Sequence, residues 1–114
     1  MKLMTNPQRD QLIANFRANQ QGEGAIDHRP VIKLFTPDAG ATWLLSEFDP
    51  CEELFFGLCD PGLGFPELGH VAHAELLELR GRFGLPVERD RHWRAEKTLS
   101  AYADEACQAG RIVA

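Results

Sequence analysis

Between Pro30 and Ala72 the chain passes through four short strand-like runs, and the links between them are too short to hold a crossover helix. The runs are residues 30–36 (PVIKLFT), 41–48 (ATWLLSEF), 54–60 (LFFGLCD) and 67–72 (ELGHVA), and most are rich in β-branched or aromatic side chains. The links are four, five and six residues long, whereas a parallel connection needs about a dozen or more. Successive runs are therefore expected to be antiparallel neighbours. Pro37-Asp38-Ala39-Gly40 has turn chemistry, with Pro pre-setting φ and Gly free to take positive φ, so the first two runs read as a hairpin. The acidic link Asp49 to Glu53 leads into the third run, and a Gly- and Pro-rich bend, Pro61 to Pro66, leads into the fourth.

Helical spacing flanks this block on both sides. Asn6-Pro7 reads as a helix start, with Asn as cap and Pro at the first helical position, and Leu12, Ile13 and Phe16 share one face. Gln21-Gly22-Glu23-Gly24 ends that helix and opens a loop to about Arg29. A second helix is expected over Glu75 to Phe83, with Leu76, Leu79 and Phe83 inward and Gly84-Leu85-Pro86 as its stop. Val87 to Lys97 is strongly charged and reads as a short strand and a loop. A last helix starts at Thr98, carries Leu99, Tyr102, Ala103 and Ala106 inward, and is closed by Gly110. The expected class is α+β: one domain over residues 1–114, with a mainly antiparallel sheet of about four strands flanked by about three helices.

Composition narrows the function classes. With 44% hydrophobic and 25% charged residues, the 114-residue chain has the make-up of an ordinary globular domain, not of a disordered tail or a fibre. Twelve Lys and Arg against seventeen Asp and Glu leave a net charge of −5, which argues against indiscriminate binding along a phosphate backbone. No apolar stretch approaches membrane-spanning length, and Met1 to Pro7 lacks the apolar run of a secretory signal. Three cysteines, at 51, 59 and 107, form no CxxC pair, and a reduced cytoplasmic protein is expected.

Catalytic patterns are thin. His70 and His73, downstream of Cys59 and Asp60, have the side chains of a zinc site, but an i, i+3 pair on a strand points to opposite faces. Gly62-Leu63-Gly64-Phe65-Pro66-Glu67 lacks the third glycine and the following helix of a dinucleotide loop. No GxSxG elbow surrounds Ser46 or Ser100, and a thiol–imidazole pair of Cys59 with His28, His70 or His92 would depend wholly on the fold. No catalytic residue, metal or cofactor is expected from these patterns, and an enzyme centred on Cys59, Asp60, His70 and His73 ranks last.

Two charged stretches carry more. Glu47, Asp49, Glu52, Glu53 and Asp60 lie in fourteen residues without Lys or Arg, interspersed with Phe48, Phe55 and Phe56. Such an acid–aromatic surface, with Glu47, Asp49, Glu52, Glu53, Phe55 and Asp60 as its members, suits a basic protein partner. Conversely, Arg80, Arg82, Arg89, Arg91, Arg94 and Lys97 are half of all the Lys and Arg and fall within eighteen residues, with His92 and Trp93 among them. Arg89, Arg91, Trp93 and Arg94 could hold phosphates and stack a base.

The stretches Thr42-Trp43-Leu44-Leu45-Ser46-Glu47, Phe56-Gly57-Leu58-Cys59-Asp60 and Phe65-Pro66-Glu67-Leu68-Gly69 resemble the bacterial domain of unknown function 2958 family. The resemblance runs from the N-terminal helix to Gly110-Arg111-Ile112. It implies an accessory role in mobile-element biology, counter-defence or DNA maintenance, and carries no established catalytic residues to transfer. His70 and His73 depart from the family's pattern, which speaks further against a shared histidine site. The leading expectation is a protein-binding module that meets an unidentified protein partner through the acidic surface. The alternative is a nucleic-acid-binding accessory protein using segment 80–97.

Overall fold

The computed structural model describes residues 2–22 and 25–114, so Glu23 and Gly24 of the expected first loop lie outside the described residues. Thr5, not Asn6, caps the first helix, α1 (Asn6–Gln21). The Thr5 hydroxyl accepts from the Gln8 N–H at 3.2 Å, and the Gln8 side chain accepts from the Thr5 N–H at 2.8 Å. That reciprocal pair satisfies two of the first turn's orphan N–H groups, where Asn6 would satisfy one.

The strands are β1 (Ile32–Phe35), β2 (Thr42–Asp49), β3 (Leu54–Asp60), β4 (Glu67–Ala72) and β5 (Glu88–Arg89). They form one antiparallel sheet in the order β4-β3-β2-β1-β5. The third and fourth expected runs match β3 and β4 end to end. β5 makes five strands where about four were expected. It is only two residues long, and it is held by pairing Leu34 with Arg89 and Phe35 with Glu88.

The sheet is covered on both faces. On one lie α1 and the short α2 (His73–Glu78), with Leu12, Ile13 and Leu76 against Ile32, Leu34, Trp43, Leu45, Phe48 and Phe55. On the other lies α3 (Leu99–Ala109), which packs Leu99, Tyr102 and Ala106 on Leu44 and Leu58. Alternation along β2 sends Trp43 and Leu45 to the first face and Leu44 to the second. A bulge between Leu45 and Glu47 then resets the parity. Because of it, Phe48 joins the α1 side and stacks on Phe55 with ring centroids 4.6 Å apart. Opposite the bulge, a Cβ on Gly57 would overlap the Leu44 carbonyl oxygen, so only glycine fits.

α2 departs from expectation by ending at Glu78, five residues before Phe83, which is 79% exposed and contributes nothing to the core. The cause is Asp38 in the β1–β2 turn. Its Oδ2 accepts from the N–H groups of Phe83 (2.6 Å) and Leu85 (3.3 Å), drawing residues 80–86 into a loop closed by the Arg80–Pro86 bridge. Continuing the helix would break these bonds. α3 ends as expected at Gly110, in the left-handed region at φ 74°.

Candidate functional site

A cleft of about 610 Å³ opens between α1, the segment before β1, and the strap after β5. Each wall has a local reason to stand where it does. From α1 come Gln8, Gln11 and Asn15. Asn15 is buried within an otherwise apolar face and is fully engaged: its Nδ2 donates to the Ser46 carbonyl at the β2 bulge (2.9 Å), and its Oδ1 accepts from Gln11 Nε2 (2.8 Å). From the segment before β1 come His28 and Arg29. That segment is pinned by the Val31 N–H on the Leu45 carbonyl (2.8 Å) and by the Leu99 N–H on the His28 carbonyl (2.9 Å).

The strap supplies Arg91, Trp93 and Arg94. It prolongs the β5 ladder by one bond, Asp90 N–H to the Lys33 carbonyl (2.9 Å), then turns as the Asp90 side chain accepts from the His92 N–H (3.2 Å). Trp93 is half-buried and leans on Tyr102, with ring centroids 6.0 Å apart and planes tilted by 49°. Arg29, Arg91 and Arg94 are exposed. Among the described residues the ion pairs are Lys33–Asp90 at 4.0 Å and Lys97–Glu105, so none of the three arginines has a carboxylate partner there. Among the described residues, no Asp or Glu lines the cleft. A chain of net charge −5 thus gathers three guanidiniums, an imidazole and an indole around one recess. Such a lining suits an anionic ligand that carries a planar group.

Three of the four residues singled out for nucleic acid, Arg91, Trp93 and Arg94, meet here. Arg89 does not: it is half-buried on β5 and donates to the Lys2 carbonyl at 2.9 Å. Arg80 is also spent locally, on the Leu77 and Leu79 carbonyls at the end of α2 (both 2.9 Å). The cleft adds His28, Arg29, Gln11 and Asn15, which sequence reasoning did not place there. The basic pair His28-Arg29 ahead of a strand is a faint signal, and only the pairing of β1 with β5 brings it beside residue 91.

The acidic candidates scatter. Phe55 is fully buried under α1, and Asp60 is only 3% exposed, so neither lies on a surface that a partner could touch. The Asp60 carboxylate is occupied, Oδ1 by the Gly62 N–H and Oδ2 by the Ile112 N–H, both at 2.9 Å. Glu47 accepts from Asn19 Nδ2 (2.9 Å), and Asp49 caps the β2–β3 turn by accepting from the N–H groups of Cys51 (2.9 Å) and Glu52 (3.2 Å). Glu52 and Glu53 alone of the set project freely from that turn.

Nor do the thiol and histidines converge. His70 stacks on Phe56 (5.1 Å) on the α3 side, while His73 meets Phe48 and Phe55 edge-on (5.8 and 5.5 Å) on the α1 side. Burial pushes the Cys59 thiol up to about 11, the opposite of an activated nucleophile. Among the described residues no group of three or more His, Cys, Asp or Glu is placed to hold a metal ion. No helix among them is long and apolar enough to cross a membrane.

Fold and cleft together define an α+β domain with an antiparallel sheet covered on both faces and a basic recess at one edge. The chain belongs to the family described as protein of unknown function (DUF2958), whose model matches residues 3–113. No curated protein and no solved structure matches it.

Proposed function

We propose that this chain is a nucleic-acid-binding accessory domain that contacts its ligand through the cleft formed by α1, residues 28–31 and residues 91–95. The observation that carries this reading is the coincidence, in one recess, of a half-exposed indole with three arginines that have no carboxylate partner among the described residues. Guanidiniums suit phosphates because their donors form a planar fork, and an indole suits bases because every base has a π face. The accessory setting is the one the family resemblance implies.

The test is fluorescence anisotropy of labelled oligonucleotides at low salt. Binding is expected, with an affinity that falls on adding salt at a log–log slope of about −2, as neutralisation of about three phosphates requires. Arg91→Ala and Arg94→Ala should each weaken binding and reduce the slope by about one. Absence of any binding at low salt overturns the reading.

A second reading keeps the exposed Glu52 and Glu53 as a contact for a basic protein. They stand on a tight turn, with Glu53 in the left-handed region at φ 53°, and are exposed. Charge reversal at both should abolish capture of such a partner while leaving the circular dichroism spectrum unchanged.

A further inference from the structure

The cleft's chemistry is layered by depth. At its base is a neutral hydrogen-bonding group, Asn15, which is 7% exposed and to which the exposed Gln11 is bonded at 2.8 Å. Beside them His28 Nε2 is buried, with no hydrogen-bond partner among the described residues. A buried polar atom without a partner is uncommon in a native fold, because its desolvation is uncompensated. The wall is the indole of Trp93, backed by Tyr102, and the rim is the exposed Arg29, Arg91 and Arg94.

We infer that this cleft takes one unpaired nucleotide of a single strand, with its base against Trp93 and its flanking phosphates on Arg29, Arg91 and Arg94. The inference rests on the nucleic-acid reading above and narrows it. In a duplex the π faces are stacked on their neighbours and only base edges are offered, so an indole wall would go unused. Only a base that has left its stack can bring a π face to the wall and polar edge atoms toward His28 and Gln11. The volume, about 610 Å³, lies within the range of clefts that enclose ligands of nucleotide size, about 300–1,000 Å³. DNA and RNA single strands share this chemistry, and three guanidiniums exceed what the phosphate of a lone mononucleotide requires.

The experiment measures binding of a labelled dT12, a labelled rU12, a 12-base-pair DNA duplex and a mononucleotide to the intact protein at 50 mM salt, together with intrinsic tryptophan emission. Trp43 is only 6% exposed, so emission changes on binding report Trp93. The expected result is at least a tenfold preference for the single strands over the duplex and the mononucleotide, with quenching by the single strands alone. Trp93→Ala should cost about tenfold in single-strand affinity and leave duplex affinity unchanged, while Trp93→Phe, which keeps a stacking ring and its packing on Tyr102, should retain most of it. The dT12 and rU12 arms show whether the sugar matters. Equal affinity for duplex and single strand, or no quenching, overturns the inference and leaves the cleft a phosphate contact. No binding by any nucleic acid overturns both.

Discussion

Asp60 shows how one residue ties distant backbone together. Its carboxylate sits at the end of β3 and holds the bend at Gly62 with one oxygen and the tail after α3 with the other, through Ile112. With 3% exposure it has little water to fall back on. Asp60→Ala orphans two N–H groups and should lower the unfolding free energy in urea by about 3 kcal/mol, while Asp60→Asn, which keeps one acceptor, should lose about half of that. A loss below about 0.5 kcal/mol for the alanine variant would mean that water replaces the carboxylate fully. Cys59 gives a second check at this scale. Cys51 and Cys107 are exposed, whereas burial pushes the Cys59 thiol up to about 11. At pH 8 an aromatic disulfide reagent should therefore titrate two thiols rapidly and the third only after unfolding. Rapid reaction of all three would show that Cys59 is open to solvent.

At the scale of elements, α3 is held by a residue far from it in sequence. Thr98 stands at its N-cap without a side-chain capping bond, and Asp27 supplies one instead: its carboxylate accepts from the Ser100 N–H at 3.0 Å and from the Ser100 hydroxyl. The Ser100 hydroxyl, foremost, and its N–H hold the Asp27 carboxyl below the usual range, against a smaller opposing effect of desolvation. The folded state then binds this proton less readily than the unfolded chain does. The bond's stabilisation is present above the ordinary carboxyl value near pH 4 and is lost as pH falls through the lower folded value. Asp27→Asn keeps an acceptor but loses the charge, so its melting temperature should lie below the parent's at pH 7 and fall less between pH 5 and pH 3, the two drawing together at low pH. A parallel fall in both proteins would remove Asp27 from the acid response. The elements also show where sequence reading reaches and where it stops. Both ends of β3 and the start of β4 were legible because they adjoin Pro, Gly and acidic turn residues. The spacing of Leu76, Leu79 and Phe83 was equally regular, yet α2 stops at Glu78, because Asp38 takes the Phe83 and Leu85 N–H groups that a longer helix would need.

For the whole molecule, the sheet separates two cores, one under α1 and α2 and one under α3. Leu12 and Leu58, 0% and 1% exposed, lie on opposite sides of it. Leu12→Ala and Leu58→Ala should each cost about 2–5 kcal/mol in urea unfolding, and the double variant should be additive to within about 0.5 kcal/mol. Coupling well above that would mean that the two cores repack together through the sheet. By itself the sequence determined the first four strands, their antiparallel sense and the two terminal helices, since each depends on local periodicity and on links too short for any other connection. It also marked Arg91, Trp93 and Arg94 as a cluster, because they are neighbours in the chain. Tertiary structure alone decided that Phe55 and Asp60 turn inward, that Arg89 is spent on the Lys2 carbonyl, and that His28, Arg29 and Asn15 complete the cleft. The facing of a strand residue depends on its register and on a bulge that no local pattern announces. A recess assembled from residues 15, 28 and 93 exists only once a helix, a sheet edge and a strap have met.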